Sequence, residues 1–521
     1  MSGGAGSITG AVTDPSPSPP VGAEAAALAE QVLAVGVETV EATLHRGAAG
    51  TGHLSVLAVG LAASPGTGSG PLVTSVGAAL DAFDRGEDPV LVAEQTSPAD
   101  EPAMRVAAAV VTSRGGLASH AAVVARGWGL PAVCGAESIS VEDGGIRVGD
   151  RHLREGELLT VDGSSGEVRL GAPGADPAPA DPEGPDTDLG MVLEAADRLA
   201  AGRPAVWANA DTAEDAERAR GLGAQGVGLC RTEHQFLGDR LALLQEVLLR
   251  GPREAVALSE LERLQRADAV ALLGAMDGLP VTFRLLDPPL HEFLPRPGDP
   301  AAGSELLSLA ERWREENPML GVRGVRLAVL RPDLLELQVR SLAGAVAERR
   351  AAGGRPVARL LVPMVAHPAE MEVVAGVVRS VPGTEGIALG AMVETPSAAL
   401  RTAELPADFL SLGTNDLTQL VLGLSRDDAE ARLLGPYRAA GITTVSPFES
   451  LDPAVIELVR LTVRRAGGRA VGICGEQAAD PASLEACRDA GVVTVSCSPF
   501  RVPVARLLAG RAAATEVLGA G

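Results

Sequence analysis

The sequence predicts an α/β protein of two units, a small α/β domain followed by a (β/α)8 barrel. Three observations carry this expectation. The chain has 521 residues, too many for one ordinary core. Residues 171–188, GAPGADPAPADPEGPDTD, are rich in Pro, Ala and Asp and read as an extended interdomain linker. Beyond them, short β-like runs at 205–209, 226–230, 281–286, 359–365, 387–393, 408–412, 469–474 and 492–496 alternate with helical stretches. Eight such runs are the pattern of a closed parallel barrel.

Taken in order, residues 1–22 are Gly/Ser/Pro-rich and are expected to be disordered. Residues 23–46 carry helical spacing at Leu28, Val32, Val35, Val40 and Leu44, which predicts one helix or a hairpin within an N-terminal segment, 1–54. Over 55–170 the pattern becomes β-rich (VLAVGLAAS, PLVTS, PVLVAE, AAAVVTS, PAVCG, LLTVDG) with intervening helices, the small domain. After the linker, the barrel is expected over 189–521, longer than a minimal barrel mainly at 232–280 and 287–358. Polar or reactive residues recur at the ends of its β-like runs: Asn209, Arg231, Arg284, Glu394, Asn415, Asp416, Glu476 and Cys497. Active sites of such barrels lie at the carboxyl ends of the strands.

Composition narrows the function. Hydrophobic residues make up 46% and charged residues 21%, a globular balance. No apolar run approaches the roughly 20 residues that span a bilayer, and no basic-then-apolar leader opens the chain, so a cytoplasmic location without membrane contact is expected. The cysteines form no CxxC pair, which argues against a zinc site or a disulfide framework. A net charge of −23 argues against nucleic acid as a partner. The sequence contains no lysine, so all 44 basic residues are arginine. That excludes a Walker P-loop and a Schiff-base lysine. Phosphate or carboxylate recognition must rest on arginine forks, backbone amides and metal.

Residues 114–131, RGGLASHAAVVARGWGLP, set His120 in a glycine-rich frame before an apolar helix start. Glycines allow close backbone approach, and a helix N-terminus offers free N–H groups and a positive dipole end. These conditions welcome a phosphate on or beside the ring; the plainer alternative is a histidine packed at a strand-to-helix turn. Glu394 in GAMVETP and Asp416 in GTNDLTQ close consecutive β-like runs and can face one barrel mouth. Two such oxygens, completed by substrate and water, suit Mg²⁺; surface salt bridges are the other reading. Arg231, Arg284 and Arg323 are candidate phosphate clamps, although any one of them alone reads equally as a salt-bridged arginine. Cys497 in VSCSPFRVP is either a small core residue or a general acid at the mouth.

The His120 frame resembles the phosphohistidine motif of the phosphoenolpyruvate-utilising enzymes. GVGLCRTEHQF, LLDPPLHEFLP, ENPMLGVRGVRL, GAMVETPSAAL, SLGTNDLTQLVLGLSRDD, GICGEQ and VSCSPFRVPVARL resemble, in order, blocks of the pyruvate phosphate dikinase branch, more than those of enzyme I. The resemblance runs from about residue 55 to residue 515. It implies a phosphohistidine swivelling domain linked to a TIM barrel that binds phosphoenolpyruvate or pyruvate. It further implies that His120 takes the phosphoryl group and that Arg231, Arg284, Arg323, Glu394, Thr414, Asn415 and Asp416 hold substrate. Glu394 and Asp416 would carry Mg²⁺, Cys497 would protonate enolpyruvate, and two chains would pair through the barrel. In the dikinases an ATP-grasp region precedes the histidine domain, whereas here the first 54 residues have neither lysine nor a β-rich pattern. The expectation is therefore a phosphotransferase acting between phosphoenolpyruvate and His120 that relies on a partner, either a separate nucleotide-binding (ATP-grasp) protein for the ATP and phosphate half-reaction or a phosphocarrier that accepts the group. The alternatives are a non-catalytic phosphoenolpyruvate- or pyruvate-binding regulatory paralogue, or an enzyme I-like donor to a carrier protein. Dikinases switched by a regulatory kinase carry threonine two residues before the histidine; Ala118 has no hydroxyl, so that control is not expected.

Overall fold

The computed structural model describes residue 20 and residues 22–40, 54–172 and 186–519, except positions 38, 65, 98–99, 117–118, 120, 123, 126–128, 143, 150, 164, 237–239, 289, 296–302, 476 and 478–479. His120, Ala118, Glu476 and most of the 171–188 segment lie outside the described residues.

The small domain is built from β1 (Val56–Val59), β2 (Leu61–Ser64), β3 (Thr67–Val73), β4 (Val90–Ala93), β5 (Ala109–Thr112), β6 (Ala132–Cys134), β7 (Ile139–Glu142), β8 (Gly145–Val148), β9 (Arg151–Arg154), β10 (Leu158–Asp162) and β11 (Glu167–Leu170). A mixed sheet runs β1-β11-β10-β3-β4-β5-β6-β2, with β3 to β6 parallel, and β7-β8-β9 form a separate antiparallel meander. The run VLVA, and AVVT up to its closing Thr112, are apolar because both faces are covered. Leu72, Val90, Val92 and Val111 join Ile139 and Ile146 of the meander on one side. Val73, Leu91 and Val110 join Ala79, Ala82 and Met104 of the helices Val76–Asp84 and Glu101–Val106 on the other. The meander was not read from the sequence, since its strands alternate polar and apolar positions and turn at Gly144 and Gly149 with positive φ.

The second unit is a closed barrel of parallel strands, β12 (Ala205–Asn209), β13 (Val227–Arg231), β14 (Pro280–Arg284), β15 (Val357–Val362), β16 (Ala388–Val393), β17 (Phe409–Leu412), β18 (Val471–Ile473) and β19 (Thr494–Cys497). Each matches one predicted run to within a few residues. The extra length at 232–280 and 287–358 supplies the helices Leu241–Leu249, Glu254–Ala275 and Pro332–Ala351. The largest core lies between strands and helices, for example Val206, Val281, Val362, Val393 and Val495 against Leu342, Val374, Val459 and Leu507.

The N-terminal helix Gly22–Leu33 belongs to this core. Ala29 and Val32 are wholly buried in it, Arg511 donates to the Val35 carbonyl at 2.5 Å, and Arg198 pairs with Glu24. The chain thus lays a helix on the barrel, departs to build the small domain, and returns. The two units meet where the Phe500 ring lies against Gly129 so closely that a Cβ there would come within 2.1 Å of it. Arg218 stacks on the same ring at 5.4 Å.

Candidate functional site

The carboxyl ends of the barrel strands enclose a cavity of about 280 Å³. Arg231, Arg284, Arg323, Glu394, Thr414, Asn415 and Asp416 all line it, together with Glu233, His234, Asp287, Arg426 and Cys474. Strand ends deliver most of these groups. Arg231 and Arg284 are the last residues of β13 and β14, and Glu394 follows β16 directly. After β17, Gly413 caps the helix Thr414–Leu422, whose first turn presents Thr414, Asn415 and Asp416. Gly413 is obligatory there, because a Cβ would sit 2.4 Å from a Glu394 carboxylate oxygen.

The charges are interlocked. Arg323 forks onto Asp287 through Nε (2.8 Å) and Nη2 (2.6 Å), and its Nη1 reaches Asp416 at 3.1 Å. Arg284 pairs with Glu233 and lies 3.4 Å from Asp287. Gly324, with φ of +56°, passes within contact of Met364, Pro363 and the Asp287 carboxylate, a path closed to a side chain. Burial works against both guanidinium charges, but the surrounding carboxylates hold them well above the ordinary arginine range. Such fixed, charge-paired forks are oriented before any ligand arrives.

Three features mark a ligand site rather than a closed salt-bridge network. The Arg231 guanidinium makes no ion pair or hydrogen bond among the described residues, and only its backbone N–H is engaged, by Asp211 at 2.6 Å. Beside it, His234 Nδ1 lies 2.9 Å from Asp211; burial lowers the imidazole pKa, but the hydrogen bond and charge of Asp211 raise it further, so the net shift is upward. Third, Glu394 is fully buried, with Oε1 accepting from the Met364 N–H at 2.5 Å while Oε2 has no partner, and the buried Asn415 Oδ1 has none either. Burial first, then the charges of Asp416 and Asp287, push the Glu394 carboxyl up to about 8. Orphaned hard oxygens beside a carboxylate whose charge is opposed by its neighbours fit Mg²⁺. Among the described residues no group of three or more His, Cys, Asp or Glu side chains forms a metal cage, so such an ion would take its remaining ligands from substrate and water.

Cys497 stands apart from the cavity. Along β19, Ser496 points into the lumen, where it donates to Asn209 at 2.7 Å, so alternation turns Val495 and Cys497 outward into the strand–helix core. The thiol on the cavity wall is that of Cys474, which burial raises to about 11. Asp211, Glu233, His234, Asp287, Arg426 and Cys474 were not singled out in the sequence, although each lies within a few residues of a strand end or in a quoted block. Asp287 in LLDPPL, three residues after Arg284, was the most accessible of these signals.

The chain is thus a two-unit α/β protein whose barrel mouth is lined by arginines and carboxylates. The model of the PEP-utilising enzyme mobile domain matches residues 85–166, and that of the PEP-utilising enzyme PEP-binding domain matches residues 193–514. The chain belongs to the PEP-utilising enzyme family. Within it, the chain is 41% identical over 514 residues to pyruvate, phosphate dikinase of Rhizobium meliloti, covering 93% of this chain and 56% of that protein. It is 42% identical over 490 residues to chloroplastic pyruvate, phosphate dikinase 1 of Arabidopsis thaliana, covering 88% and 50%. It is 41% identical over 490 residues to pyruvate, phosphate dikinase 2 of Zea mays, covering 88% and 54%. The chain spans about half the length of the curated relatives it matches. No helix among the described residues is long and apolar enough to cross a membrane.

Proposed function

We propose that this chain is a pyruvate phosphate dikinase-like phosphotransferase that moves a phosphoryl group between phosphoenolpyruvate and His120. In the direction of phosphohistidine formation, an imidazole nitrogen attacks phosphorus, the bond from phosphorus to the enol oxygen breaks, and the enolate of pyruvate leaves. Protonation of its methylene carbon then gives pyruvate. The observation that carries this reading is the unpaired Arg231 guanidinium facing the same 280 Å³ cavity as the preset Arg284 and Arg323 forks and the orphaned Glu394 oxygen.

Arg231 supplies a charge not already neutralised, so it anchors the phosphoryl or carboxylate group of the substrate. Arg284 and Arg323, oriented by Glu233, Asp287 and Asp416, face charge that develops on the transferring group and the enolate oxygen. Glu394 and Asp416 would hold Mg²⁺, which supplies charge neutralisation at the phosphoryl and enolate oxygens. Thr414 is fixed by Gln477 at 2.8 Å, leaving Asn415 and Asp416 aimed at the cavity from a helix start. Cys497 is proposed as the carbon acid on its motif alone; from its position in the core, the turn after β19 must rearrange for the thiol to reach substrate. The two units are proposed to carry the phosphoenolpyruvate half-reaction, with a partner completing the transfer, either a nucleotide-binding unit for the ATP and phosphate half-reaction or a phosphocarrier that accepts the group from His120, and with two chains pairing through the barrel.

Protein incubated with phosphoenolpyruvate labelled in its phosphate and Mg²⁺ should acquire one acid-labile, base-stable phosphate, and His120→Ala should abolish it. Label surviving that change would place the acceptor elsewhere and overturn the proposal.

A further inference from the structure

Below the mouth, an apolar plug of Leu229, Leu361, Met392, Phe409 and Cys474 closes the lumen. On its far side, towards the amino ends of the strands, lies a second cavity of about 30 Å³. Thr282 and Arg359 are register partners on β14 and β15 and enter it at the same level. The Arg359 guanidinium lies between two rings, 3.5 Å from the centre of Phe409 and 5.2 Å from that of Trp207. Glycines make room for this stack: at Gly390 a Cβ would come within 2.2 Å of the Phe409 ring.

Aromatic faces satisfy the face of a guanidinium but leave its in-plane N–H donors unanswered. Among the described residues the Arg359 guanidinium makes no hydrogen bond or ion pair. Asp408, the acid whose charge it feels, is exposed and accepts from the Leu389 N–H at 2.8 Å. In the same cavity the buried Thr282 hydroxyl has no partner. Of the three other hydroxyls lining it, those of Ser411, Thr494 and Ser496, two already donate elsewhere, Ser411 to the Cys474 sulfur at 3.5 Å and Ser496 to Asn209 at 2.7 Å. A cation and a hydroxyl therefore converge on one small space in which neither makes a hydrogen bond among the described residues.

We infer that the lower barrel lumen is an anion site, in which Arg359 and Thr282 hold one small monovalent anion of halide size. A space of about 30 Å³ admits one or two waters or a single halide but not a phosphate ester. Burial already draws the Arg359 guanidinium down to about 10, a penalty that a bound anion would oppose. Lying at the end of the barrel that governs stability rather than chemistry, such an anion stabilises the folded chain by mass action.

The test uses the full chain crystallised with bromide in place of chloride, and thermal unfolding in chloride, bromide or gluconate at equal ionic strength. A bromide anomalous peak in contact with the Arg359 guanidinium and the Thr282 hydroxyl is expected. The unfolding temperature should rise with halide concentration relative to gluconate, and Arg359→Met and Thr282→Val should flatten that rise. Absence of the peak, or an equal halide response in the parent and Arg359→Met, would overturn the inference and leave Arg359 as a cation packed between rings. Should either variant fail to fold, the bromide map of the parent protein alone decides.

Discussion

Glu394 offers a sharp test of the metal assignment through protons. Its carboxyl is raised from an ordinary 4.5 to about 8 by burial and by the charges of Asp416 and Asp287. One unit below that value, at pH 7, the protonated form outnumbers the ionised form by about ten to one. A divalent cation binding between Glu394 and Asp416 must therefore expel about 0.9 proton per ion at pH 7. The same linkage makes apparent Mg²⁺ affinity fall about tenfold per unit as pH drops below about 8, and level off above it. Calorimetric titration of the metal-free chain with MgCl₂, in buffers of different ionisation enthalpy, reads the proton count directly. Without metal the sign is opposite. A raised folded-state pKa gives stability that is complete below about 4.5 and is lost as pH rises through about 8, and Glu394→Gln should flatten that slope. Binding without proton release at pH 7, and affinity unchanged between pH 6 and 8, would show that Glu394 is ionised at rest and that the reasoning is wrong.

Other perturbations test separate parts. Asp287→Asn strips the shared counter-charge from two buried arginines and should lower the free energy of unfolding in denaturant by about 3–5 kcal/mol; a loss below about 1 kcal/mol would mean the network is not held by this carboxylate. Cys497→Ala should slow hydrogen exchange at the methyl group of pyruvate by about 10²–10⁴-fold with little change in affinity, whereas unchanged exchange in Cys497→Ala and slowed exchange in Cys474→Ala would transfer the acid role to the thiol on the cavity wall. Gly129→Val forces a side chain into the Phe500 ring and should slow labelling of His120 while leaving methyl exchange, a barrel reaction, intact; equal labelling rates would show that this contact plays no part in transfer.

The barrel was legible because strands covered on both faces read as short apolar runs, and because active-site groups cluster where those runs end. Of the charged residues named from strand ends, Arg231, Arg284, Glu394 and Asp416 share one cavity, while Glu476 lies outside the described residues. What escaped was what depends on proximity across the fold. Asp287 and Glu233 act as counter-charges only because β13, β14 and the loops after them converge. The side on which Cys497 falls depends on strand parity, which a motif at a strand end does not state. The spacing over 23–46 announced one helix or a hairpin, but the surface that the helix Gly22–Leu33 packs on is set by the barrel's last helix, Val502–Gly519, nearly five hundred residues away in the chain.

That packing has a mechanical consequence. With Gly22–Leu33 seated on the barrel, the small domain is tied to the barrel unit at both of its ends rather than one. A body tied at both ends turns less freely than one tied at a single end. Any travel of the small domain is thereby reduced from a wandering search towards an arc, and the same face is returned to the barrel at each pass.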